Sequence, residues 1–218
     1  MERAITLIYV DDLLRSTHNL NCLRAGNTKL DFLLREKQLE AHPTKSGYLI
    51  YGSEGFKAKA EHEALEKPVM LGKIVMKENK CEAYLGDILC SRGLEASLEA
   101  TIQNRAAKTK GSIYELRSLI EDFRMQAVGG TRAANDLYES CIVPSLLANC
   151  GTWAGITENE EKLLEEQQNL FCRTLLQIPV SSPKPSLRAA LGLLGTKWRV
   201  MEAKVQLVQA IRRQEEGG

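Results

Sequence analysis

The chain has 218 residues, 44% hydrophobic and 26% charged, which excludes a disordered or low-complexity polypeptide and suffices for one large domain or two small ones. Its 29 lysines and arginines nearly balance 28 acidic residues, leaving a net charge of +1, so any nucleic-acid surface has to be a local patch. No signal or transit pattern and no apolar run of about 18 residues points to secretion or a membrane span.

The first element is the stretch from Ala4 to Leu14, Ala-Ile-Thr-Leu-Ile-Tyr-Val-Asp-Asp-Leu-Leu. Its period-2 pattern predicts a buried strand that reaches the tip of a tight hairpin at Asp11 and Asp12. Ordinary tips use Asn-Gly or Asp-Gly, whereas two adjacent carboxylates repel. Such local conflicts often mark sites. Paired acids on a rigid tip suit hard divalent cations, Mg²⁺ above all, because that ion takes few carboxylates and keeps water and phosphate as its other ligands. Two such ions about 4 Å apart clamp the attacking and leaving oxygens of a phosphoryl transfer. Two acids after a strand also occur as a solvated Asx turn.

Helical spacing of Leu23, Leu30, Leu33 and Leu34 predicts a helix from about Asn21 to Glu40, with Gly26 inside it and Pro43 as its stop. Gly47 to Gly52 reads as a short strand, and Phe56 to Glu66 as a charged surface helix ended by Pro68. Gly72–Met76 and Ala83–Leu89 read as two strands of a second hairpin turning at Glu78-Asn79-Lys80. After Gly93 the pattern is helical. Leu94, Leu98, Ile102 and Ala106 form one stripe, continued by Ile113, Leu116, Leu119, Ile120 and Phe123. Gly129-Gly130 breaks the chain before a helix over Thr131 to Ile142, stopped before Pro144. Thr157 to Glu160 is a capping box opening a helix that runs to Ile178. Ser181 to Pro185 is an extended linker, and helices follow over 187–194 and 198–211. The expected fold is α+β: a β-rich lobe over 1–93 and an all-helical lobe over 94–218.

The six cysteines, Cys22, Cys81, Cys90, Cys141, Cys150 and Cys172, make no C-x-x-C pair, and His18, His42 and His62 do not complete a metal finger. Cys22, Cys141 and Cys172 fall within apolar patterns, where a free thiol acts as a small hydrophobe. This usage implies a reducing, intracellular setting.

The order of these parts resembles the C-terminal half of a reverse transcriptase of the non-LTR, LINE-type retrotransposons. Tyr9-Val10-Asp11-Asp12 looks like that family's catalytic Tyr-x-Asp-Asp hairpin in the palm. Thr44-Lys45 before Tyr48-Leu49-Ile50 resembles the next palm motif, although His42 or Pro43 stands near the expected Asn. Ala83-Tyr84-Leu85-Gly86-Asp87 is similar to the primer-grip hairpin. Pro144-Ser145-Leu146-Leu147 with Asn149 and Trp153 resembles a segment of the helical thumb. The resemblance implies a partial polymerase palm followed by a thumb-like region. It implies two-metal nucleotidyl transfer in the full-length enzyme, with Mg²⁺ or Mn²⁺ as cofactor. RNA template, DNA primer and deoxynucleotide are the implied partners, and cytoplasm and nucleus the implied locations.

By the same resemblance Asp11 and Asp12 are metal ligands and catalytic. Lys45 stands near the leaving pyrophosphate, Tyr9 and Val10 touch the primer end, and Leu85 and Gly86 grip the primer. Each has a bland counterpart: packed strand side chains for Tyr9 and Val10, a solvated loop lysine for Lys45, a strand bulge for Gly86. Arg105, Lys108 and Lys110 read as a solvated helix face, and Trp153 and Trp198 as core anchors. The family's upstream palm carboxylate and fingers have no counterpart before Ala4. The expectation is therefore a fragment inactive by itself, or a decayed or domesticated module that binds nucleic acid or protein. A different metal-dependent phosphoryl enzyme ranks last.

Overall fold

Alternating branched residues pull the beginning of the chain into extended backbone. β1, Ile5–Tyr9, pairs antiparallel with β2, Asp12–Ser16, in a register running from Ile5 opposite Ser16 to Tyr9 opposite Asp12. The structure is a computed structural model that describes residues 5–9, 12–122 and 130–216. It is mixed α+β, about 62% helical, and divides into two units, Met1–Thr101 and Ile102–Gly218.

In the first unit α1, Leu20–Glu36, opens on Asn19, whose Oδ1 accepts the Cys22 N–H at 2.8 Å. It stops before the expected Glu40 because the chain turns left-handed at Gln38, φ +56°, and the Leu39 N–H returns to the Leu34 carbonyl at 2.8 Å. α2, Glu54–Glu66, is capped by Ser53. Leu20, Ile50, Ala60 and Val69 form a small core with Leu23, Tyr48, Ala64 and Met76 around it. Arg24 ties α1 to the end of α2, reaching the Glu63 carboxylate at 2.7 Å, and the buried Asn27 amide donates to the Met70 carbonyl at 3.0 Å.

The remaining strands are short. β3, Gly47–Tyr48, pairs in parallel with β6, Lys77–Glu78, while β4, Met70–Leu71, pairs antiparallel with β5, Ile74–Val75. β7, Cys81–Tyr84, pairs antiparallel with β8, Asp87–Cys90. This corrects the expected hairpin between 72–76 and 83–89. Gly72, at φ +58°, reverses the chain early and commits Ile74-Val75 to Met70-Leu71. The second reversal falls at Leu85-Gly86, φ +50° and +83°, the paired left-handed residues of a type I′ turn.

α3, Leu94–Asp122, begins in the first unit and continues into the second. Of the expected apolar stripe Ile102, Ala106, Ile113 and Leu116 are buried and Leu98 half-buried, Leu119 is exposed, and Phe123 lies outside the described residues; the difference is that polar residues share the buried face. Leu94 is exposed, whereas Ser97, Thr101, Arg105 and Thr109 are buried beside Ile102, Ala106 and Ile113. In the second unit α4, Gly130–Leu137, runs through a π-helical turn, Tyr138–Ile142, into α5, Val143–Leu146. The expected stop before Pro144 does not occur. The Val143 N–H bonds back to the Tyr138 carbonyl five residues earlier, and Pro144 sits in the first turn of α5, where its missing N–H costs nothing. A 3₁₀ turn, Cys150–Thr152, precedes α6, Glu158–Leu176, which opens with the Thr157–Glu160 capping box. α7, Lys184–Leu191, starts inside the expected linker because Pro185 suits a first turn, and α8 spans Thr196–Glu216. Tyr138 and Phe171, both fully buried, stack at 3.9 Å between centroids. Gly151 admits α8: a Cβ there would stand 2.9 Å from the Ala203 carbonyl oxygen. Among the described residues no helix is long and apolar enough to cross a membrane.

Candidate functional site

The hairpin of β1 and β2 holds Tyr9 opposite Asp12, so Asp12 is the first residue of the returning strand and its side chain is exposed. Val10 and Asp11 lie outside the described residues. The strands themselves contradict the expected burial. Ile5, Leu7 and Ile8 are 62%, 51% and 72% exposed, because the sheet has two strands and, among the described residues, little covers β1, while Leu14 and Arg15 of β2 are half-buried. α1 and Tyr48 pack chiefly with α2 and β4 around Val69. What ties the ribbon to α1 is Arg15, whose guanidinium lies over Gly26 where a Cβ would collide with it. The glycine that weakens the helix by propensity thus makes room for a β2 side chain.

Lys45 ends the turn that follows Pro43 and is exposed; there the Thr44 N–H donates to His42 Nδ1 at 3.3 Å. Among the described residues no three His, Cys, Asp or Glu side chains gather as a metal-binding group. Asp12 has the hard-oxygen chemistry that Mg²⁺ or Mn²⁺ takes, but one described carboxylate falls short of a complete ligand set.

The second hairpin is braced along one edge by α3. Leu85 and Gly86 form its exposed tip. Its outer edge is completed by two hydroxyls one turn apart on α3: the Ile88 N–H donates to Thr101 Oγ1 at 2.7 Å and the Cys90 N–H to Ser97 Oγ at 2.8 Å. Alternate N–H groups of a strand recur about every 6.6 Å and helical residues four apart about every 6 Å, so one helix face satisfies the strand edge. Cys81 and Cys90, directly opposite in the register, are joined as a disulfide with Cα atoms 4.1 Å apart. Sequence spacing misses this pair because only the turn at 85–86 sets it, and the bond runs against the reducing setting expected from the cysteine spacing. Of the cysteines read as apolar packing, Cys172 is buried, Cys22 half-buried and Cys141 exposed.

Two of the less favoured candidates are resolved by packing. Arg105 is no surface cation: it is 5% exposed, donates to the Ala148 carbonyl and lies 5.6 Å from the centre of the buried Trp153 ring. Trp198, expected in the core, is 60% exposed on α8. No protein-family model, curated protein or solved structure matches the chain.

Proposed function

We propose that the chain is part of the palm and thumb of an RNA-directed DNA polymerase of the non-LTR retrotransposon type. Tyr9-Val10-Asp11-Asp12 is its metal-bearing hairpin and Leu85-Gly86 its primer grip. The observation that carries this reading is the first hairpin, which sets Asp12 exposed at the start of β2 in a two-stranded ribbon whose Ile5, Leu7, Ile8 and Leu13 stand exposed. A two-stranded ribbon is marginal in water, and a wider sheet would bury Ile5, Leu7 and Ile8. In a polymerase palm that wider sheet also brings the further carboxylate that Asp11 and Asp12 need. When bound, Mg²⁺ or Mn²⁺ would neutralise charge on the reacting phosphate.

What the chain's own residues do is position nucleic acid. Gly86 lets a sugar-phosphate backbone approach the tip of the second hairpin, Leu85 offers it an apolar contact, and the ammonium of Lys45 offers a charge to phosphate. The test is fluorescence anisotropy of a labelled DNA primer annealed to an RNA template. Binding should weaken as salt rises and fall several-fold with Gly86→Val or Lys45→Glu. Binding indifferent to both sites would refute the reading.

A further inference from the structure

The outer face of α8 repeats. Trp198, Met201, Val205 and Val208 are each about half exposed or more and follow at intervals of three, four and three residues. The inner face holds buried Val200 and half-buried Ala203 and Leu207, and it packs on the 3₁₀ turn at Gly151. A surface helix that only covers its own core keeps its apolar side chains on that one face. A second apolar stripe whose spacing alternates three and four residues has the a and d pattern of a two-stranded coiled coil.

The charges beside the stripe choose the occupant. With Trp198 and Val205 at a and Met201 and Val208 at d, Lys197 and Lys204 fall at g and Glu202 and Gln209 at e. In a parallel pair of identical helices each g residue faces the e residue of the next heptad on the other helix. Lys197 then faces Glu202 of the second copy, twice by symmetry, and Lys204 faces the neutral Gln209. An antiparallel pair would set g against g, lysine against lysine. Lys197 also reaches Glu161 of its own chain at 3.2 Å, an exposed pair at the rim.

We propose that α8 is a dimerisation helix: two copies of this chain associate in parallel through Trp198, Met201, Val205 and Val208, in a register fixed by Lys197 against Glu202. This goes beyond the polymerase reading and does not depend on it. Two heptads make a short seam, so dissociation falls on the order of micromolar concentration rather than nanomolar.

Sedimentation equilibrium of the full chain between about 1 and 200 µM tests the proposal, since association follows mass action. The unaltered chain should pass from monomer to dimer across that range. Val205→Glu and, independently, Met201→Lys should hold it monomeric with unchanged helical circular dichroism. Glu202→Lys should weaken the dimer at least about threefold, and adding Lys197→Glu to it should restore the original constant, a rescue that only a g-to-e contact between copies produces. A monomer at every concentration, a dimer indifferent to both seam substitutions, or a charge exchange without rescue would overturn it.

Discussion

Arg105 distinguishes an internal strut from a nucleic-acid contact, and its loss has a calculable cost. The guanidinium is buried, donates to the Ala148 carbonyl and faces Trp153. A hydrogen bond from a charged donor contributes about 1.5–3 kcal/mol, and a partly desolvated cation–π contact adds about 1 kcal/mol. Arg105→Ala removes both and leaves a carbonyl unpaired, so the loss should be about 3 kcal/mol. With a urea slope near 2 kcal/mol/M, the midpoint of the second unit should fall by about 1.5 M at unchanged slope. The assay is tryptophan fluorescence in a Trp198→Phe background, which leaves Trp153, beside Arg105, as the sole reporter because the chain has two tryptophans. Arg105→Lys keeps the charge without the planar fork and should recover only part of the loss. A cost under about 0.5 kcal/mol for Arg105→Ala, the range of surface substitutions, would refute the strut and return Arg105 to the solvated face.

Gly151→Ala should cost about 1–3 kcal/mol in thermal melts, because the added methyl meets the Ala203 backbone, which cannot swing aside. Leu85→Asn should raise the urea midpoint of the first unit by about 1 kcal/mol of stability, since asparagine tolerates the φ of +50° at the hairpin tip better than leucine does. Of the free thiols, Cys141 should react first with a disulfide reagent at neutral pH, while Cys150 and Cys172 should react only as the chain unfolds. Burial pushes the Cys172 thiol up to about 11 from its ordinary 9.0. Its folded pKa exceeds its unfolded one, so its contribution is full below pH 9.0 and is lost as pH rises through about 11. A Cys172→Ala variant should lose less melting temperature between neutral and strongly alkaline pH than the unaltered chain, and an equal loss would remove Cys172 as the cause.

What the sequence reveals is set by range. The β1–β2 pair, the α2 span and the Thr157 capping box depend on neighbours a few residues apart, and the local pattern is enough to find them. The exposure of Ile5 and Ile8 was not legible, because alternation sets which side chains share a face and not whether anything covers that face. The second hairpin was misplaced by one turn, since apolar runs mark strands while the left-handed pair at Leu85-Gly86 decides where the chain reverses. Ser97, Thr101 and Arg105 on α3 look like a polar face in sequence, yet each meets a partner that only the folded chain supplies: the edge of β8 for the hydroxyls, the Ala148 carbonyl for the guanidinium. The same limit hid the exposed stripe of α8, where alternating steps of three and four residues look like a core helix until one face proves covered and the other open.

Metal binding is the role proposed for the hairpin that carries Asp11 and Asp12. Titration of Mg²⁺, with Mn²⁺ as the paramagnetic probe, against the amide resonances of the isotopically labelled chain tests it directly. Weak, saturable shifts and line broadening should centre on residues 9 to 14, diminish with Asp11→Asn and vanish with Asp11→Ala and Asp12→Ala together. Broadening centred elsewhere, or shifts at the hairpin that survive loss of both carboxylates, would contradict it.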